Sequence, residues 1–213
     1  MRRLALLPLI LAAAAGPATA QAASDRGVFT IQRGESPLGR EEFSIQPGAS
    51  GSTTGSTLAS LARYPASGPT VQIQAVLEQN DAGAVVALQI DTRAPAGLNR
   101  VYGAALKDNL TIRQTTPAAE SVREYPRATG IVVLDDSLFA FYQVVAARAT
   151  AAGARLPVLF PRSGRRGQLT ATRSSPTSVD LTGAVSGLLT VDASGRLMSV
   201  VLSDGTSAIR QAR

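Results

Sequence analysis

From residue 28 onward, apolar and polar residues alternate in short runs separated by turn formers, the period-two signature of strands with one buried face. Val28-Phe29-Thr30-Ile31-Gln32 places Phe29 and Ile31 on one side, and Glu42-Phe43-Ser44-Ile45 does the same with Phe43 and Ile45. Gly34, Ser36, Pro37 and Gly39 lie between them, so the pair predicts an N-terminal hairpin. Val71 to Leu77 and Val86 to Ile90 predict a second hairpin around Asn80-Asp81-Ala82-Gly83, residue types that tolerate the positive φ of a tight turn. Two more pairs are Arg100 to Leu106 with Asn109 to Gln114, and Gly187 to Val191 with Arg196 to Leu202, turning at Lys107-Asp108 and at Asp192-Ala193-Ser194-Gly195. Weaker alternation near 58–64, 156–160, 168–173, 179–183 and 206–211 brings the expectation to at least ten strands. That pattern predicts a mainly β chain, a curved antiparallel sheet forming a half-barrel or barrel. Pro47 to Thr57, rich in Gly, Ser and Thr and without a period, predicts a mobile loop or irregular edge.

One segment carries helical spacing instead. Asp135-Asp136-Ser137 offers N-cap oxygens, Leu138, Phe141, Tyr142, Val145 and Ala149 recur on one face, and Gly153 suits a left-handed stop. These predict one long helix, Ser137 to Ala152. It holds Phe139, Phe141 and Tyr142, three of the nine aromatic residues in the chain, so it is expected to bury itself against the concave face of the sheet.

The beginning of the chain has a different character. Arg2 and Arg3, the apolar run Leu4 to Ala15 and then Ala18-Thr19-Ala20 predict a secretory signal peptide over residues 1–20, cleaved after Ala20 with Ala22 as the alternative. The apolar run is shorter than the roughly 18 residues a membrane helix needs, and no Cys follows the cleavage site as a lipoprotein requires. Residues 21–213 are then one β-rich domain, large enough to bury a core without disulfides or metal. An exported chain without Cys points to a bacterial periplasm.

Composition narrows the chemistry. The 213 residues contain no His, no Cys and a single Lys, Lys107. Ser-His-Asp and Cys-His sets cannot be assembled, Lys107 sits in a turn, and the acidic residues lack the spacing of a calcium loop. Two-carboxylate hydrolysis would have to use Glu41 or Glu42 with Asp91, with no Trp to stack a sugar ring. The expectation is therefore no enzyme, no catalytic residues, no metal and no cofactor. The formal charge of +6 becomes +4 without Arg2 and Arg3, and the arginines are dispersed, so nucleic-acid binding is not indicated. Arg162, Arg165 and Arg166 form the densest basic cluster and are the candidate anion site. An outer-membrane barrel would need aromatic girdles, which four Tyr and no Trp do not supply.

The layout from Gly27-Val28-Phe29-Thr30-Ile31 to Gly39-Arg40-Glu41-Glu42-Phe43, the start Asp135-Asp136-Ser137-Leu138-Phe139 and the closing Leu189-Thr190-Val191-Asp192-Ala193-Ser194-Gly195-Arg196-Leu197 carry a resemblance. The chain is similar to uncharacterised exported bacterial β-rich proteins that are distantly like lipoprotein carriers of the LolA and LolB type. The resemblance implies a curved sheet with a helix in or over its concave side, enclosing an apolar cavity. By that analogy the chain is expected to be a soluble periplasmic carrier of an apolar or amphiphilic, lipid-like ligand. The cavity candidates are Phe29, Ile31, Phe43, Ile73, Leu88 and Ile90 from strands, with Leu138, Phe141 and Tyr142 from the helix. The alternative is an envelope structural or assembly protein that binds another envelope protein through a sheet edge or the basic loop and takes no small ligand.

Overall fold

The computed structural model describes residues 24–49, 52–68, 70–126 and 130–212; the signal peptide expected over 1–20 lies outside the described residues. Eight strands follow one another first: β1 (Asp25–Arg33), β2 (Ser36–Ala49), β3 (Ser52–Tyr64), β4 (Val71–Gln79), β5 (Val85–Ala94), β6 (Gly97–Leu106), β7 (Asn109–Thr115) and β8 (Glu120–Pro126). After them come β9 (Val132–Val133), a 3₁₀ turn (Phe139–Phe141) and the helix α1 (Tyr142–Arg148). The rest is β10 (Ala154–Phe160), β11 (Arg165–Ser175), β12 (Ser178–Gly183), β13 (Gly187–Val191), β14 (Leu197–Leu202) and β15 (Thr206–Arg210).

All fifteen strands belong to one curved, unclosed sheet in the order β8-β7-β6-β5-β4-β3-β2-β1-β15-β14-β13-β12-β11-β10-β9. Neighbours are antiparallel except β9 and β10, which run parallel. The chain is thus two meanders joined where the first and last strands pair, Phe29 opposite Arg210 and Ile31 opposite Ala208. A bidentate ion pair reinforces that junction: Arg210 donates to both oxygens of Asp25 at 2.6 and 2.9 Å. The Arg210 guanidinium also lies 5.2 Å from the Phe43 ring, which stacks on Phe29 at 5.0 Å.

Alternation delivers one side of every long strand to a common interior. Phe29, Phe43, Leu58, Ile73, Leu77, Leu88, Ile90, Val101 and Ile112 enter it from the first meander, and Leu156, Val158, Leu169, Leu181, Leu189 and Ala208 from the second. Phe139, Phe141, Tyr142 and Val145 join the same cluster from the 3₁₀ turn and α1, each no more than 1% exposed.

The two sheet edges meet without pairing. Val132 and Val133 are adjacent in β9, so they face opposite sides, yet both are fully buried, as is Leu159 beside them in β10. The second covering layer comes from the far end of the sheet. Arg166, opposite Leu159, sits 5.7 Å from the ring of Tyr125 in β8; Gln114 in β7 donates to the Arg162 carbonyl at 3.3 Å; and the Arg123 guanidinium lies against Gly164. No backbone ladder joins β8 to β9 or β10 among the described residues. The result is a seam closed by side chains.

Two expectations change. The single long helix from Ser137 to Ala152 is a 3₁₀ turn and a seven-residue α1. Asp135 does not cap it: its Oδ1 accepts from Ser137 N and its carboxylate is held by Arg162, so helical geometry starts only at Phe139. At the other end Ala149 is already extended and Thr150 bridges to Thr172, so Gly153 shapes a turn into β10. Pro47 to Thr57, expected as a mobile loop or an irregular edge, is mostly paired strand between two inner strands of the sheet, with a register shift between Pro47 and Ala49 and positive φ at Gly48 and Gly55. Backbone pairing needs no apolar side chains, and a composition-based reading overlooks it. The fifteen strands meet the expectation of at least ten and include β8, which the pattern does not announce.

Candidate functional site

The nine cavity candidates all reach the shared interior. Phe29, Ile31, Ile73, Leu88, Ile90, Leu138, Phe141 and Tyr142 are at most 3% exposed and Phe43 is 7% exposed, all in one cluster. Two clefts lie elsewhere. One of about 500 Å³ is lined by Arg26, Gly27, Phe43, Asp192, Met198 and Arg210 among others. The other, about 470 Å³, lies over β4–β7 and is lined by Val76, Ala87, Leu88, Tyr102, Ala104 and Arg113 among others. Of the nine candidates only Phe43 and Leu88 touch these clefts.

A polar cluster fixes the helical segment to the wall. On β2 the inward positions run Gly39, Glu41, Phe43, so alternation carries a carboxylate into the core, where Glu41 is fully buried. Its Oε2 accepts from Phe139 N at 2.7 Å, Ala140 N reaches both oxygens at 3.2 Å, and Ser60 Oγ lies 2.6 Å from Oε1. Glu41 thereby satisfies the first free N–H groups of the helical segment, the role that Asp135 was expected to fill. Burial raises its pKa from 4.5 to about 7, and the nearby Asp135 adds to the rise against the hydrogen bonds from Ser60, Phe139 and Ala140. Tyr64 donates to the Ser137 carbonyl at 2.7 Å, and its pKa is pushed up by burial and then by the charges of Glu41 and Asp135.

The basic loop is largely spoken for. Arg162 grips Asp135 with two hydrogen bonds of 2.6 Å and reaches Ser137 Oγ at 3.1 Å. Arg165 pairs with Asp136 at 2.6 Å and lies 3.6 Å from the Phe160 ring. Arg166 differs from both, facing the Tyr125 ring. Its two companions therefore hold their anions within the chain, in the residues the sequence suggests as helix caps.

Fold comparison gives structural relatives only. No family model and no curated protein matches the chain. A beta-barrel-like protein of the domain of unknown function DUF1849 from Brucella abortus superposes with a TM-score of 0.53 at 9% identity, covering 87% of this chain and 95% of that one. A DUF1089-family protein from Pseudomonas aeruginosa gives 0.46 at 13% identity over 89% and 95%. The chain is a β-rich protein of barrel-like form.

Among the described residues, no three His, Cys, Asp or Glu side chains gather to hold a metal. The carboxylate pairs considered for hydrolysis do not face one another. Glu41 points inward, whereas Asp91, next to inward Thr92 on β5, points outward; Glu42 and Asp91 share the outer face but stand three strand spacings apart, about 14 Å. Glu41, Ser60, Tyr64 and the Asp135–Arg162 pair are not anticipated as a unit by the sequence. The available signal is a charged residue in phase with Phe43 and Ile45 on an apolar face.

Three buried side-chain oxygens among the described residues lack a hydrogen-bond partner: Asp91 Oδ1, Thr92 Oγ1 and Tyr125 Oη. Asp91 still has Arg100 at 3.9 Å. Tyr125 is 5% exposed and stands at the seam.

Proposed function

We propose that this chain is an exported, periplasmic binding or carrier protein for an apolar or amphiphilic, lipid-like molecule, without enzymatic activity of its own. The observation that carries the reading is the seam. An apolar interior lies behind a seam that side chains close and no ladder joins, so admission between β8 and β9 breaks side-chain contacts and no strand pairing. The segment from Leu138 to Val145 occupies the interior. It is held there by polar contacts from Glu41, Tyr64 and Gln143 and by its buried apolar side chains, so a ligand that takes its place has to supply comparable apolar contact. The resemblance to carriers of the LolA and LolB type, drawn from the sequence alone, points the same way. Action through the sheet edge finds less support: β8 carries Glu120, Arg123 and Glu124 and ends in Pro126, which opposes strand addition. Native mass spectrometry of the protein released from its own envelope by osmotic shock tests the proposal. A lipid-sized added mass that organic extraction removes is expected. A bare-chain mass in every preparation, together with no uptake of oleate, would overturn it.

A further inference from the structure

Positive charge is left uncompensated at the seam. Among the described residues, Arg33, Arg40, Arg63, Arg100, Arg113, Arg162, Arg165, Arg196 and Arg210 form ion pairs with carboxylates. Arg123 and Arg166, on the two sides of the seam, form none with any carboxylate among the described residues. The acidic neighbours of Arg123 do not help. Glu120 is paired with Arg113, and Glu124 points to the opposite face of β8 by strand alternation.

Arg123 lies against Gly164, two residues before Arg166, and Arg166 lies 5.7 Å from the ring of Tyr125, two residues after Arg123 and on its face of β8. Two cations are thus brought to one seam beside a buried phenol whose Oη donates to nothing. Like charges in proximity repel, and a buried hydroxyl without a partner is costly. An anion would offset both, accepting from Tyr125 Oη and from two guanidinium groups.

We propose that Arg123, Arg166 and Tyr125 form an anion site that takes the carboxylate or phosphate head of an amphiphile at the seam. This rests on the carrier reading for the position of the acyl chain, which would enter the interior while the head remains at the seam. The bound head would then hold β8 and β11 together across the seam. Arg162 and Arg165, with their own carboxylates, are excluded from this role.

Calorimetric titrations of the exported chain at pH 8 with oleate, oleyl alcohol and inorganic phosphate separate the two ideas. Oleate should bind about tenfold or more tightly than oleyl alcohol, the worth of one or two charge-assisted hydrogen bonds. The double variant Arg123→Gln/Arg166→Gln should erase that gap and leave oleyl alcohol within about twofold of wild type, and Tyr125→Phe should lower oleate affinity about three- to tenfold. Thermal melts by circular dichroism check that each variant is folded. Equal affinity of wild type for oleate and oleyl alcohol overturns the head-group site and leaves the carrier reading standing. Saturable phosphate binding that the double variant loses, with neither amphiphile bound, keeps the anion site and removes the carrier reading. Binding of none of the three ligands overturns both.

Discussion

Replacing Glu41 by Gln isolates the cost of keeping an ionised carboxylate inside this protein. The side chain is fully buried and forms no ion pair among the described residues, and the Arg162 guanidinium of the same cluster is engaged by Asp135. Its pKa therefore stands at about 7, chiefly through desolvation, against 4.5 for an ordinary glutamate. A carboxyl group whose pKa is raised on folding makes the native state bind a proton that the unfolded chain releases. Its stabilising effect is full below 4.5 and is lost as pH rises to about 7. The gap corresponds to about 3 kcal/mol, of which about 2.5 kcal/mol falls between pH 5 and pH 8. The neutral acid fits the geometry. Oε1–H can donate to Ser60 Oγ across 2.6 Å while Oε2 accepts from Phe139 N. The side-chain amide introduced by Glu41→Gln would reproduce that arrangement and cannot ionise. Urea melts of both proteins at pH 5, 6, 7 and 8 should therefore give a stability difference that grows with pH in favour of Glu41→Gln, other titrating groups cancelling in the subtraction. A difference independent of pH would refute the reasoning, as would a variant less stable than wild type at pH 8.

Two other substitutions probe the same core. Phe141→Ala removes a fully buried ring and should cost about 3–5 kcal/mol in urea melts if the interior is as tightly filled as its burial indicates. A loss nearer 1–2 kcal/mol would mean that free space adjoins the ring. Asp135→Asn keeps the shape but takes away the charge that Arg162 grips; because Arg162 is 24% exposed on its side chain, the expected loss is about 2–3 kcal/mol, read from thermal melts. Retention of wild-type stability would show that water replaces the pair without penalty.

The strands are legible where a half-buried face imposes alternation. Phe29 and Ile31, Ile73 and Leu77, Leu88 and Ile90 all point inward as their spacing requires, and the turn residues carry the geometry their chemistry suggests. Lys107 and Gly83 take positive φ, Asn80 accepts from Ala84 N, and Asp192 accepts from Ser194 N and Arg196 N. The helix is harder to place because its cap is tertiary. Asp135 and Ser137 look like local N-caps, yet the carboxylate that fills the role comes from Glu41, 98 residues earlier in the chain. The β2–β3 extension is hidden because Ser, Thr and Gly leave no periodic trace of a backbone ladder. β8 is hidden for a related reason: apart from Tyr125 every residue in it is exposed, so no apolar phase marks it. The seam is invisible in sequence because Arg123, Tyr125 and Arg166 become neighbours only when the two ends of the sheet approach.

The pairing of β1 with β15 sets the order in which this fold can assemble. Each meander is made almost wholly of contacts between consecutive strands and can zip up from its own hairpins, but the junction at Phe29 and Arg210 closes a loop of about 180 residues. As the chain emerges from a ribosome or a translocation pore, β1 arrives first and its partner arrives last. Until then one side of β1 stays an unprotected edge, a template for pairing with a second nascent chain. The Asp25–Arg210 contact then acts as the completion signal of folding, because no intermediate that lacks the final strand can make it.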